Sequence, residues 1–191
     1  MRPDGRLSIE PAPELKTLRR RSRDVRNLAI HSGDQLLRDI SGDCIEIIAE
    51  IEVENAQQAG LRLRCSPDGG EQTLVGFDRA GNTIYSDSSR SSKQSAPSEP
   101  GRGSPGRGPL KKGPLQLEAG EHLRLHVYLD ASVIEVFANG RACITDRVYP
   151  ADTKSLGIGL FARGGQARLR SIEVWDLEPI SSDRLTSGPV T

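Results

Sequence analysis

Two carboxylates in the stretch "LHVYLDASVIEVFANGRACITDRVYP" (residues 125–150), Asp130 and Glu135, stand where one apolar run ends and the next has begun. Acid pairs cleave glycosidic bonds: one protonates the leaving oxygen while the other attacks or activates water, across a gap of roughly 5 to 9.5 Å. Such pairs come from different loops or strand ends facing a sugar pocket. Here a tight turn alone would bring the two acids near each other. The preferred reading is therefore structural, with Asp130 capping a turn and Glu135 serving as a polar cross-strand partner.

Other residues with chemical potential give way to plainer readings. His122 and His126 stand at i, i+4, but their segment alternates like a strand, which would hold them about 13 Å apart, too far to share one metal ion. Gly157 and Gly159 lack the third glycine and the following helix of a phosphate loop. The arginines Arg19, Arg20, Arg21 and Arg23 could bind phosphate, yet a solvated linker is the simpler reading. No serine sits in a GxSxG context. Cys44, Cys65 and Cys143 are odd in number and show no CxxC spacing, which argues against a disulfide framework and a zinc site. Trp175, the one tryptophan, is read as a core or interface aromatic ahead of a sugar platform. No cofactor and no metal are expected.

The elements that must carry these residues are strands. Ile45, Ile47, Ala49, Ile51 and Val53 alternate with Glu46, Glu50, Glu52 and Glu54, and Leu61, Leu63 and Cys65 alternate with Arg62 and Arg64. Pairing these two runs as a hairpin would set arginines against glutamates. "EQTLVGFD", the turn "RAGN" and "TIYSD" predict another hairpin. Leu123, Leu125, Val127 and Leu129 form one strand and Ile134, Val136 and Ala138 the next, and Asn139-Gly140 is the sequence of a type I′ turn. "LGIGLFA", "RGGQ" and "ARLRSIEVWDL" predict a last hairpin. Helix is expected only around "PELKTLRR". The fold class is all-β: a two-sheet antiparallel β-sandwich, concanavalin- or lectin-like.

Residues 88–114, rich in Ser, Pro and Gly, predict a disordered loop, because they cannot offset their ordering entropy by burial. Its basic character, Arg90, Lys93, Arg102, Arg107, Lys111 and Lys112 against Glu99, raises weak contact with an anionic surface or nucleic acid, but a solvated insertion is preferred. The expected organisation is a linker over 1–24, a sandwich over 25–180 and a tail over 181–191. With 26 basic and 26 acidic residues the formal charge is zero, so no nucleic-acid or membrane partner is expected. No apolar run has signal-peptide or membrane-spanning length. As written the chain is expected to be cytoplasmic, or secreted if the true N-terminus is missing.

The same hairpin resembles that of the C-terminal β-sandwich of glycoside hydrolase family 32, the invertase, levanase and inulinase family. The motif residues are Asp130, Ser132, Glu135, Val136, Phe137, Asn139, Gly140, Tyr149 and Pro150. "SLGIGLFARGGQARLRSIEVWDL" is similar to that domain's closing strands, "GFDRAGNTIYSD" to an earlier pair, and "DGRLSIEPAPELKTLR" to the segment linking a five-bladed catalytic propeller to the sandwich. Ala131 departs from the arginine frequent there. The resemblance places the catalytic acids in the propeller, in Asp-Pro-Asn, Glu-Cys and Arg-Asp-Pro motifs. This sequence contains no Asp-Pro and no Glu-Cys, and Arg23-Asp24 is followed by Val25.

The resemblance therefore implies an accessory sandwich without catalytic residues, whose partner is a glycosidase propeller, encoded as a fragment of a longer gene. A fructan-binding module recognising fructan or sucrose is the alternative. An exposed apolar patch is expected where a propeller would pack.

Overall fold

Period-2 alternation gives most strands one greasy side, and two sheets close those sides on each other. The computed structural model describes residues 7–93 and 110–179. A 3₁₀ helix over Pro13–Leu18 leads into β1 (Arg19–Ile30), β2 (Gly33–Ser41), β3 (Cys44–Glu52) and β4 (Gln58–Cys65). These are followed by β5 (Thr73–Asp78), β6 (Thr83–Asp87), β7 (Lys111–Pro114) and β8 (Leu123–Asp130). The last are β9 (Val133–Ala138), β10 (Ala142–Arg147), β11 (Gly157–Arg163) and β12 (Ala167–Leu177). The first sheet runs β1-β12-β3-β8-β9-β10 and the second β2-β11-β4-β5-β6-β7. Neighbouring strands are antiparallel throughout.

One core fills the space between the sheets. Ile45, Ile47 and Ile51 of β3 and Leu123, Leu125 and Leu129 of β8 share it with Leu61 and Leu63 of β4, Val75 of β5 and Leu160 of β11. Each such side chain contributes about 1.5–3 kcal/mol when fully buried. The β9–β10 turn is as the sequence predicts: Asn139 and Gly140 both hold positive φ, 50° and 62°, as a type I′ turn requires. The β5–β6 hairpin is also present.

Two other hairpins are not. β3 and β4 belong to different sheets, and so do β11 and β12. Their short connections are arches that cross the sandwich side by side: Ala56 N donates to the Gln166 carbonyl, Gln57 N to that of Arg163, and Gln166 N to Asn55 Oδ1. Gly165, at φ 152°, is needed because a Cβ there would lie 2.5 Å from the Asn55 carbonyl oxygen. The arginines of β4 consequently never meet the glutamates of β3. Arg62 pairs with Asp34 and donates to Gln72, and Arg64 pairs with Asp43. The β3 glutamates instead find Arg19, His122, His126 and Arg170.

The loop expected over 88–114 is ordered at both ends. Ser88 and Ser91 are buried. Lys111–Pro114 forms β7, anchored where Lys111 Nζ donates to Asp146 and to the Thr145 carbonyl. "KKGP" carries no alternation to announce a strand; its lysine ion pair and its ladder to β6 make it one. Residues 94–109 and the tail over 181–191 lie outside the described residues. β1 begins at Arg19, inside the span expected as a linker over 1–24, and pairs with β12. Its arginines are not simply solvated: Arg23 pairs with Asp176 and Arg20 with Glu178. The helix expected around "PELKTLRR" is the 3₁₀ helix over Pro13–Leu18.

Candidate functional site

The outer face of the first sheet carries the motif residues Asp130, Glu135 and Phe137, while Val136 points into the core. Register sets its rows: Trp175 stands opposite Glu46, Glu46 opposite Tyr128, Tyr128 opposite Glu135 and Glu135 opposite Thr145. The next row is Glu173, Ile48, His126, Phe137 and Cys143. Over this face runs the segment that precedes β1. Ile9 N donates to the Gly140 carbonyl at 3.1 Å, and Ile9, Glu10 and Pro11 lie over Arg124, His126 and Phe137, enclosing a small gap. The chain then crosses to the opposite edge, where Arg19 begins β1. Residues 9–18 thus form a strap from the β9–β10 turn to the far side of the sheet.

The strap ends in a buried ionic knot. Glu46 is fully buried, although alternation would send it to solvent. Arg19 grips it with two bonds, Nε to Oε2 at 2.8 Å and Nη2 to Oε1 at 2.5 Å, the planar fork geometry that suits a carboxylate. His126 Nε2 meets Oε1 at 2.6 Å. The Arg19 guanidinium lies 3.9 Å above the Trp175 ring, and the His126 and Tyr128 rings stack 5.1 Å apart. Burial alone would raise the Glu46 pKa, but the hydrogen bonds from Arg19, His126 and Tyr128 outweigh it and hold the carboxyl down at about 2. Burial, followed by the Glu46 charge, pushes the Tyr128 phenol up. An acid catalyst needs its proton at working pH, and Glu46 is held ionised. This knot fastens chain to sheet.

The other candidates follow from the hairpin. Asp130 is exposed at the end of β8, within 3.7 Å of the Cys44 thiol. Its diagonal neighbour Glu135 is half-buried on β9. Diagonal neighbours stand roughly 7–8 Å apart, within a glycosidase span, but both project from one sheet face. Neither lines the gap under the strap or the larger cleft at the sandwich end. Ser132 offers its carbonyl to Val148 N at 2.8 Å. Phe137 is half-buried, its ring 6.4 Å from that of His126. Asn139 does more than turn the chain: its Oδ1 accepts from Arg124 N, and its Nδ2 donates to Glu121 and to the His122 carbonyl. Tyr149 is 51% exposed, with its hydroxyl 3.5 Å from Arg147, and Pro150 follows it half-buried. His122 and His126 bind different glutamates, Glu50 and Glu46. Trp175 is half-buried beneath Arg19, on the outer face of the sheet.

Two buried carboxylates escaped the sequence reading altogether. Glu71 accepts from the backbone N–H groups of Lys93, Ala151 and Asp152 and from the Ser155 hydroxyl. Burial opposes its ionisation, and these donors prevail, lowering its pKa. Asp146 joins the two sheets by accepting from Ser86 and Lys111. Neither lies in a pattern that would mark it; Glu71 follows a polar turn and Asp146 sits among polar neighbours.

The model of the family described as "Glycosyl hydrolases family 32 C terminal" matches residues 14–176. A levanase of Bacillus subtilis (strain 168) is 30% identical over 197 residues, covering 93% of this chain and 26% of the relative. A sucrose-6-phosphate hydrolase of Zymomonas mobilis is 32% identical over 181 residues, covering 92% and 32%. Among solved structures, the Aspergillus kawachii β-fructofuranosidase superposes with a TM-score of 0.76 at 24% identity, covering 93% of this chain and 31% of that one. The Aspergillus awamori exo-inulinase gives 0.71 at 20% identity, covering 90% and 32%. These structural likenesses show the fold. The chain thus spans between a quarter and a third of the length of these relatives. With the family match running from the 3₁₀ helix through β12, the chain belongs to glycosyl hydrolase family 32 as its C-terminal β-sandwich domain.

Proposed function

We propose that this sandwich is the accessory domain of a β-fructosidase, packing on and stabilising a catalytic propeller while supplying no catalytic acid of its own. The relatives named levanase and sucrose-6-phosphate hydrolase support a whole protein that hydrolyses fructosyl substrates. The observation that carries the reading is the strap. It brings the preceding chain out beside the β9–β10 turn, where Leu7 is 78% and Ile9 40% exposed. Half-buried Phe137 lies under the strap, and at the other end of β9 and β10 the same face carries half-buried Val133, with exposed Tyr149 beyond β10. Leu36 on β2 and Leu110 before β7 are exposed on the other sheet's side, but the apolar groups along this face fit a covered surface. Asp130 and Glu135 then belong to the hairpin that shapes this surface.

The test joins two measurements. Purified chain incubated with sucrose and with levan should release no fructose. A chimera in which it replaces the C-terminal domain of the Bacillus subtilis levanase should outlast the truncated levanase on heating. Fructose release abolished by Asp130→Asn or Glu135→Gln would refute the non-catalytic reading. Equal half-lives of chimera and truncated enzyme would refute the stabilising one.

A further inference from the structure

At the end of the sandwich, a cleft of about 340 Å³ opens between the β3–β4 arch, the β5–β6 turn and the loop leading into β8. Its floor is the end of the core, Val53 and Phe77, with half-buried Leu117 beside them. Its rim is polar, with the carboxylates of Glu52, Glu54, Glu118 and Glu121 and the amide of Asn82. We propose that this cleft binds one neutral sugar ring, whose hydroxyls donate to the Glu118 and Glu54 carboxylates and accept from the Asn82 amide.

Size and charge both lead there. The volume is at the lower end of small-molecule sites. Four carboxylates suggest a cation, but three are already matched: Glu52 by Arg170 at 3.6 Å, Glu54 by Arg168 at 3.3 Å and Glu121 by Arg141 at 2.8 Å. No three ligating side chains converge on a metal position among the described residues. Arg79 is occupied as well, donating to the carbonyls of Ala56 and Glu54. An ion-paired carboxylate keeps lone pairs for a hydroxyl while losing its pull on a cation. The side chains of Asn82 and Glu118 make no hydrogen bond or ion pair with other described residues and stand free for a ligand. A sugar hydroxyl both donates and accepts, so it can use the amide and the carboxylates together, while ring C–H groups rest on Leu117. This site is independent of the docking reading.

Titrating the ¹⁵N-labelled chain with fructose and with sucrose to about 50 mM tests the proposal, because a single ring in an open cleft reaches only millimolar affinity. Spermidine serves as the cationic comparison. Saturable amide shifts at residues 52–54, 77–82 and 117–122 are expected with at least one of the sugars, weakened tenfold or more in Asn82→Gly and in Glu118→Ala. Glycine keeps the turn at Asn82, where φ is 47°, and Glu118 is exposed, so both variants retain the fold. Shifts elsewhere, none with either sugar, unaltered affinity in both variants, or binding of spermidine alone would overturn it.

Discussion

Glu46 concentrates more energy than any motif residue, because its charge is buried and its partners come from separate strands. Removing one member of a buried pair leaves the other without compensation, so Glu46→Ala should destabilise the fold by about 3–5 kcal/mol in urea unfolding. Its pH signature has a definite sign. The folded carboxyl titrates at about 2, below its ordinary value of 4.5. The stabilisation is therefore complete above pH 4.5 and is lost as pH falls from there through about 2, amounting to roughly 3 kcal/mol. Glu46→Gln should show a flatter stability profile across that window; parallel profiles would deny the knot its role. Asn139 makes a second residue-scale case. Glycine would satisfy its φ of 50° but forfeit its side-chain bonds to Arg124, Glu121 and His122. Asn139→Gly should therefore cost about 2–3 kcal/mol in the same measurement, where a turn needing only the backbone angle would lose little.

At the scale of elements, the strands were legible and their partners only partly so. Alternation at Ile45, Ile47, Ala49 and Ile51 is a local signal, and the Asn139-Gly140 turn specifies its own pairing. A short connection between two alternating runs looks the same whether it folds back within a sheet or arches to the other, which is why "NAQQAG" and "RGGQ" read as hairpin turns. Long-range packing of the arches decides the matter, and Gly165 records it. Gly165→Ala would press a Cβ onto the backbone of Asn55 and Ala56, besides straining φ at 152°. Its expected cost is about 3 kcal/mol or more. Gly113→Ala on β7, which meets only Ile84 at an ordinary 3.6 Å, should change the urea midpoint little. Similar small shifts for both variants would argue against stacked arches. Glu46 was illegible for a related reason: period 2 places it outward, and only its partners from β1 and β8, Arg19, His126 and Tyr128, make outward mean buried.

Over the whole molecule, a single core drawing side chains from both sheets makes the sandwich one cooperative unit. The three cysteines report on this from separate places, since Cys44 lies on β3, Cys65 on β4 and Cys143 on β10, all as free thiols. Cys143 is exposed, Cys44 intermediate and Cys65 buried. Burial also pushes the Cys65 thiol up to about 11, leaving little thiolate to react near neutrality. With an aromatic disulfide reagent at pH 8, the native chain should therefore show one fast thiol, Cys143, a slower Cys44 and a silent Cys65. As urea is raised, Cys65 should become reactive at the same midpoint as the change in Trp175 fluorescence, because the first sheet cannot melt without uncovering the second. Exposure of Cys65 well before the tryptophan transition would mean that the sheets come apart in steps, and that the strap and its ionic knot hold the first sheet together after the shared core has opened.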